Sequence, residues 1–186
     1  MSLPPNFQLY HSWLVLPREW VFETLMRELP WEQPNLKMFG KEIPVPRLLA
    51  FMGSAPYEYS GVTHAPAGWH PIVKVILDAI EAKTGRAFNS CLANLYRSGQ
   101  DGVGWHSDDE ASLGPEPVIA SVSLGATREF VVRPKNAGPR WSADLHDGDL
   151  LVMSGDSQNA YRHCVPKTER LVGPRINLTF RLVHYV

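Results

Sequence analysis

The chain has 186 residues, of which 44% are hydrophobic and 20% charged, a balance that suits one folded domain with a core and a cleft and excludes disorder, collagen and coiled coil. Eighteen Lys and Arg against nineteen Asp and Glu leave a formal net charge of -1, so a polyanionic partner has to be held by a local patch and not by the field of the whole molecule. Cys91 and Cys164 are the only cysteines, which excludes a disulfide scaffold, and neither a basic leader nor a run of ~18 apolar residues is visible, so a cytoplasmic protein without membrane contact is expected.

In chain order, the first element is a helix predicted over 17–29, where Val21, Phe22, Leu25, Met26 and Leu29 recur at helical spacing between Pro17 and Pro30. A second helix is predicted over 71–83, with Ile72, Val73, Ile76, Leu77 and Ile80 on one stripe and Thr84-Gly85 as its stop. The pattern then changes to short apolar runs bounded by turn residues, giving strands over 91–96, 118–124, 129–133, 149–153 and 176–183. Prolines and glycines are spread along the chain instead of forming a linker, so no domain boundary is expected. The predicted fold is α+β: a jelly-roll-like sandwich with both helices packed on one outer sheet.

Chemistry concentrates in Trp105-His106-Ser107-Asp108. On extended backbone, positions i and i+2 share a face, so His106 and Asp108 offer an imidazole and a carboxylate to one ion. Asp109, offset by three, points away and is the weaker alternative. His163, after a turn-rich stretch, is the candidate third ligand. Two imidazoles and a carboxylate suit non-haem Fe(II), and equally a hydrolytic zinc site with one position open for water.

The segment Arg175-Ile176-Asn177-Leu178-Thr179-Phe180-Arg181 bears on that choice. Strand alternation sends Ile176, Leu178 and Phe180 to one face and Arg175, Asn177, Thr179 and Arg181 to the other. Guanidinium groups match carboxylates bidentately, so two arginines facing a shared space suit a buried dicarboxylate such as 2-oxoglutarate. Asn94 and Tyr96, again an i, i+2 pair on a strand, add neutral donors. The bland alternative is a sheet face wetted by solvent.

Through Asn94-Leu95-Tyr96, His106-Ser107-Asp108, His163 and the 175–181 strand, in that order, the sequence resembles the AlkB family of Fe(II)- and 2-oxoglutarate-dependent dioxygenases. The resemblance covers about 39–182 and is nearest to the branch acting on alkylated bases in duplex DNA. It implies a double-stranded β-helix, or jelly roll, as one domain over 1–186, with helices and a nucleotide-recognition lid in 1–88 and the catalytic core in 89–186. It implies Fe(II) on His106, Asp108 and His163, and 2-oxoglutarate and O2 as cosubstrates. Arg175 and Tyr96 would hold the far carboxylate of 2-oxoglutarate, and Asn94, Asn177 and Arg181 would complete its site.

For the substrate, the resemblance implies that Phe39 wedges into the gap left by a flipped base, that Tyr59 stacks on that base opposite His106, and that Glu110 accepts a hydrogen bond from its exocyclic amine. Arg47, Tyr57 and Ser60 join this lid set, and Lys135 and Arg140 are candidates for phosphate contact. The implied reaction converts 2-oxoglutarate and O2 to succinate and CO2 while a methyl carbon of 1-methyladenine or 3-methylcytosine is hydroxylated and leaves as formaldehyde. The implied partner is alkylated DNA, duplex or single-stranded, met by a monomer in the nucleoid or nucleus. An RNA demethylase, a protein side-chain hydroxylase and a non-catalytic nucleic-acid binding module are the alternatives.

Overall fold

The computed structural model describes residues 3–38, 41–54, 57–59, 62–64 and 67–184. Helix α1 (Arg18–Glu28) follows strand β1 (Phe7–Tyr10) and runs between Pro17 at its N-cap and Leu29 at its C-cap. Strands β2 (Asn35–Met38) and β3 (Lys41–Pro44) form one hairpin, β4 (Leu48–Gly53) follows, and β5 (Tyr57–Tyr59) pairs with β6 (Val62–His64) in a second small ribbon. Helix α2 (Pro71–Thr84) starts with the His70 side chain accepting a bond from the Ile72 N–H. It ends at Gly85, whose φ of +65° is left-handed and suits a residue without Cβ. All five apolar residues of its predicted stripe are buried.

Beyond α2 come β7 (Ser90–Tyr96), β8 (Val103–His106), β9 (Ile119–Gly125), β10 (Arg128–Pro134), β11 (Trp141–Leu145) and β12 (Leu150–Met153). The short helix α3 (Ser157–Ala160), β13 (Tyr161–Val165) and β14 (Arg175–Arg181) complete the chain. A six-stranded sheet in the order β1-β12-β9-β14-β7-β4 faces a four-stranded sheet in the order β11-β10-β13-β8, and neighbours within each run antiparallel. This is the expected sandwich, and α1 and α2 cover the outer face of its larger sheet through Val21, Leu25, Ile76 and Ile80 packed with Ala93, Leu95, Val122 and Leu178. Between the sheets lies a second cluster that includes Phe130, Val132, Leu145, Met153 and Val165.

The larger sheet also recruits strands that periodicity does not announce. β1 pairs with β12 at one edge and β4 with β7 at the other, so the segment before residue 89 contributes to the core sheet as well as helices. β4 reads Leu-Leu-Ala-Phe-Met-Gly, an apolar run without alternation. Such a run is a weak strand signal because both of its faces find cover. Among the described residues, no helix is long and apolar enough to cross a membrane.

Candidate active site

Strand pairing builds the metal-ligand set. In the β8–β13 ladder His106 stands directly opposite His163, which brings residues far apart in sequence to the same face. Their ring centroids are 4.3 Å apart. Asp108 follows two residues after His106, and ligand atoms of His106, Asp108 and His163 all lie within 4.8 Å of one another. Asp109, the alternative carboxylate, is exposed and accepts a bond from Lys135 Nζ at 2.8 Å.

The protonation states suit a cation. His106 Nδ1 lies 2.8 Å from the Gly104 carbonyl, which can only accept, so Nδ1 is the donor there and Nε2 is the nitrogen left for a metal. Burial, helped by repulsion from His106 and opposed by Asp108, pushes the pKa of His163 down to about 3, so its imidazole is neutral at pH 7. Burial alone raises the carboxyl of Asp108. The Arg181 guanidinium, followed by His163 and His106, outweighs that effect and holds it well below the usual carboxylate range. Arg181 Nη2 donates to Asp108 Oδ1 at 2.5 Å. Two imidazoles and one carboxylate therefore fit a divalent metal with N and O donors.

The same cleft, about 570 Å³ in volume, is lined by the cationic face of β14. All seven residues of that strand are buried, so this face lines an inner cleft and is not the open, solvent-facing side of a sheet. Arg175 is 1% exposed; its Nη2 donates to Ser123 Oγ at 2.9 Å, while buried Nε and Nη1 have no protein acceptor. Burial lowers its pKa and the neighbouring Tyr96 hydroxyl opposes that, while the Tyr96 ring centroid lies 5.2 Å from the guanidinium. A buried guanidinium edge without an acceptor costs free energy that an incoming carboxylate recovers, so the site fits a dicarboxylate cosubstrate. Asn94 Oδ1 accepts from Arg47 Nε at 2.7 Å, leaving its amide N–H groups to meet an anion. Asn177 is tied more fully, donating to Ser121 Oγ and the Val122 carbonyl and accepting from Thr179.

Of the residues expected at the substrate end, Glu110 and Arg47 line the cleft. Burial, and then the negative charge of Asp108, raises the pKa of Glu110. Arg47 is 5% exposed and turned inward onto Asn94. Phe39 and Ser60 lie outside the described residues, as do the side chains of Tyr57 and Tyr59.

Sequence reasoning missed three groups. Arg128, 3% exposed, donates to the carbonyls of Ser98, Asp101 and Pro166 and stands 5.5 Å from the Tyr96 ring, so it fixes the loops that close the cosubstrate end. Gln158, wholly buried, accepts the N–H of Asp108. Trp105, on the cleft wall, carries Arg133 over its ring at 4.2 Å. Residue spacing marked neither Arg128, one of three charged residues on its strand, nor Gln158.

Comparison with known proteins agrees with this geometry. The family model of the 2OG-Fe(II) oxygenase superfamily matches residues 8–181. The chain is 43% identical over 177 residues to alpha-ketoglutarate-dependent dioxygenase alkB homolog 3 of Homo sapiens, an alignment taking in 89% of this chain and 62% of that protein. It is 36% identical over 176 residues to the DNA oxidative demethylase ALKBH2 of Homo sapiens, covering 88% of this chain and 67% of that one. The chain thus spans about three fifths of the length of the alkB homolog 3 relatives, 60% to 62%. The solved structure of OsALKBH1 superimposes with a TM-score of 0.69 over 97% of this chain and 100% of that chain, at 22% sequence identity, and shares the fold. With the His106, Asp108 and His163 ligand set and the buried Arg175 in one cleft, the chain belongs to the 2OG-Fe(II) oxygenase superfamily, whose cofactor is Fe(II) and whose cosubstrates are 2-oxoglutarate and O2.

Proposed function

We propose that this chain removes alkyl groups oxidatively from nucleobases in DNA, reversing lesions of the 1-methyladenine and 3-methylcytosine type. The observation that carries the reading is the single cleft in which a buried guanidinium with unmet N–H groups faces the His106, Asp108 and His163 set. The names of the relatives, alkB homolog 3 and DNA oxidative demethylase ALKBH2, supply the substrate class. When bound, the metal and cosubstrate activate dioxygen: 2-oxoglutarate becomes succinate and CO2, one oxygen atom enters the methyl C–H bond, and the hydroxymethyl group leaves as formaldehyde with a proton returned to the base nitrogen. His106, Asp108 and His163 would hold the metal, and Arg175 with Tyr96 and Asn94 would orient the cosubstrate. The apolar wall of Phe130, Leu145, Met153 and Val165 excludes water.

Glu110, on the cleft lining and not a metal ligand, would offer a cationic lesion an acceptor. Methylation at the pairing edge also makes the base easier to flip. Phe39 as wedge and Tyr59 as stacking partner belong to this proposal on the strength of the sequence resemblance. Beside the cleft, Arg133, Lys135, Arg140 and Arg162 line one recess, a local basic patch suited to phosphates. We read residues 1–186 as one catalytic domain, monomeric, with the lid in 1–88, working in the compartment that holds DNA.

The test is formaldehyde release with Fe(II) and 2-oxoglutarate on matched oligonucleotides carrying 1-methyladenine, as single-stranded DNA, duplex DNA and RNA. Release from DNA is expected, and Phe39→Ala should reduce it more on duplex than on single strands. Turnover confined to RNA would move the substrate class. No release from any nucleic acid would defeat the proposal.

A further inference from the structure

Asp108 stands two residues beyond β8, outside the ladder that pairs His106 with His163. Strand pairing therefore does not place it. Its main chain is held instead by a side chain 50 residues away: Gln158 Oε1 accepts the Asp108 N–H at 2.9 Å. Gln158 is itself fixed. It sits in α3 with no exposed surface, its Nε2 donating to Ser157 Oγ at 3.2 Å and lying 3.6 Å from Met153 Sδ. A second stitch runs alongside, Ser107 Oγ donating to the Tyr161 carbonyl at 2.8 Å. Together these bonds tie the segment bearing Asp108 to the segment that leads into His163.

We propose that Gln158 is a positioning residue for the metal ligand Asp108, setting its main chain so that the carboxylate meets the two imidazoles in the metal-free protein. The proposal rests on the metal centre described above and not on the identity of the substrate. The chemistry of the site calls for a neutral acceptor at the end of a long side chain. A shorter amide does not reach, and an apolar side chain leaves a buried N–H unpaired. Arg181 grips the other end of the same residue, so Asp108 is fixed at main chain and carboxylate by two side chains from different elements. Partners of this kind set ligand geometry, and their loss weakens metal binding.

Co(II) binding to the metal-free full chain, followed by the visible absorption of the bound ion, separates positioning from mere packing. Gln158→Met keeps length and apolar bulk but removes the acceptor. It should bind Co(II) about 10–100-fold more weakly at a temperature where the metal-free variant is still folded, its thermal midpoint lowered by the unpaired Asp108 N–H. Wild-type affinity in Gln158→Met would overturn the assignment. Where that variant fails to fold, Gln158→Asn, which draws the amide back by one methylene, decides in the same way: weakened binding supports the role and wild-type binding overturns it. A wild-type chain that binds no Co(II) would instead defeat the metal centre itself.

Discussion

At the scale of single residues, the site is organised by what burial does to charge. Arg175 is a buried cation without a full set of protein acceptors, a state that an incoming anion relieves. Replacing it by Met removes that unmet charge, so the cosubstrate-free protein should keep or gain stability in urea unfolding. Binding of 2-oxoglutarate, measured by calorimetry, should weaken by about 30-fold or more, the equivalent of the roughly 2 kcal/mol lost when one partner of a buried charge pair is truncated. Unchanged affinity in a folded Arg175→Met protein would remove Arg175 from the cosubstrate site. The two arginines of β14 were legible in the sequence because a period of two places them on a shared face, and the metal ligands because their chemistry is distinctive, although Asp108 itself stands beyond the strand that carries His106. Arg128 and Gln158 were not. Their partners are main-chain carbonyls and an N–H group in distant segments, and residue spacing carries no record of such bonds.

Among the elements, β14 joins fold to chemistry. It lies between β7 and β9, with Ile176, Leu178 and Phe180 packed under the helices while Arg175, Asn177, Thr179 and Arg181 line the cleft. Leu178, with no exposed surface, should cost about 2–5 kcal/mol of unfolding free energy when changed to Ala. The folded fraction should still bind 2-oxoglutarate normally, since the lost side chain faces away from the cleft. Weakened binding without a loss of stability would mean that the two faces had been assigned the wrong way round. The helices were legible for the same reason as β14: the α2 stripe predicted from spacing is the set of residues it buries. β1 and β4 were not, because a four-residue edge strand and an apolar run covered on both faces give no alternation to read.

For the molecule as a whole, the balance of eighteen basic against nineteen acidic residues conceals a division of labour. Asp108 and Glu110 line the cleft with Arg175 and Arg181, while Arg133, Lys135, Arg140 and Arg162 gather in a separate recess. Trp105 bridges the two, lining the cleft with one side and carrying Arg133 on its ring. Under the proposed function the recess would hold the polyanion and the cleft the cationic base, with the backbone contacts weakened by salt. On the same proposal one cleft couples cosubstrate oxidation to removal of the alkyl group. The most direct test of that coupling is the product balance of a reaction on a duplex carrying a single 1-methyladenine, with restored adenine, formaldehyde and succinate quantified together. Equal amounts of all three are predicted for the wild-type chain and none for Asp108→Ala; full turnover in Asp108→Ala, or restored adenine without succinate, would contradict the account.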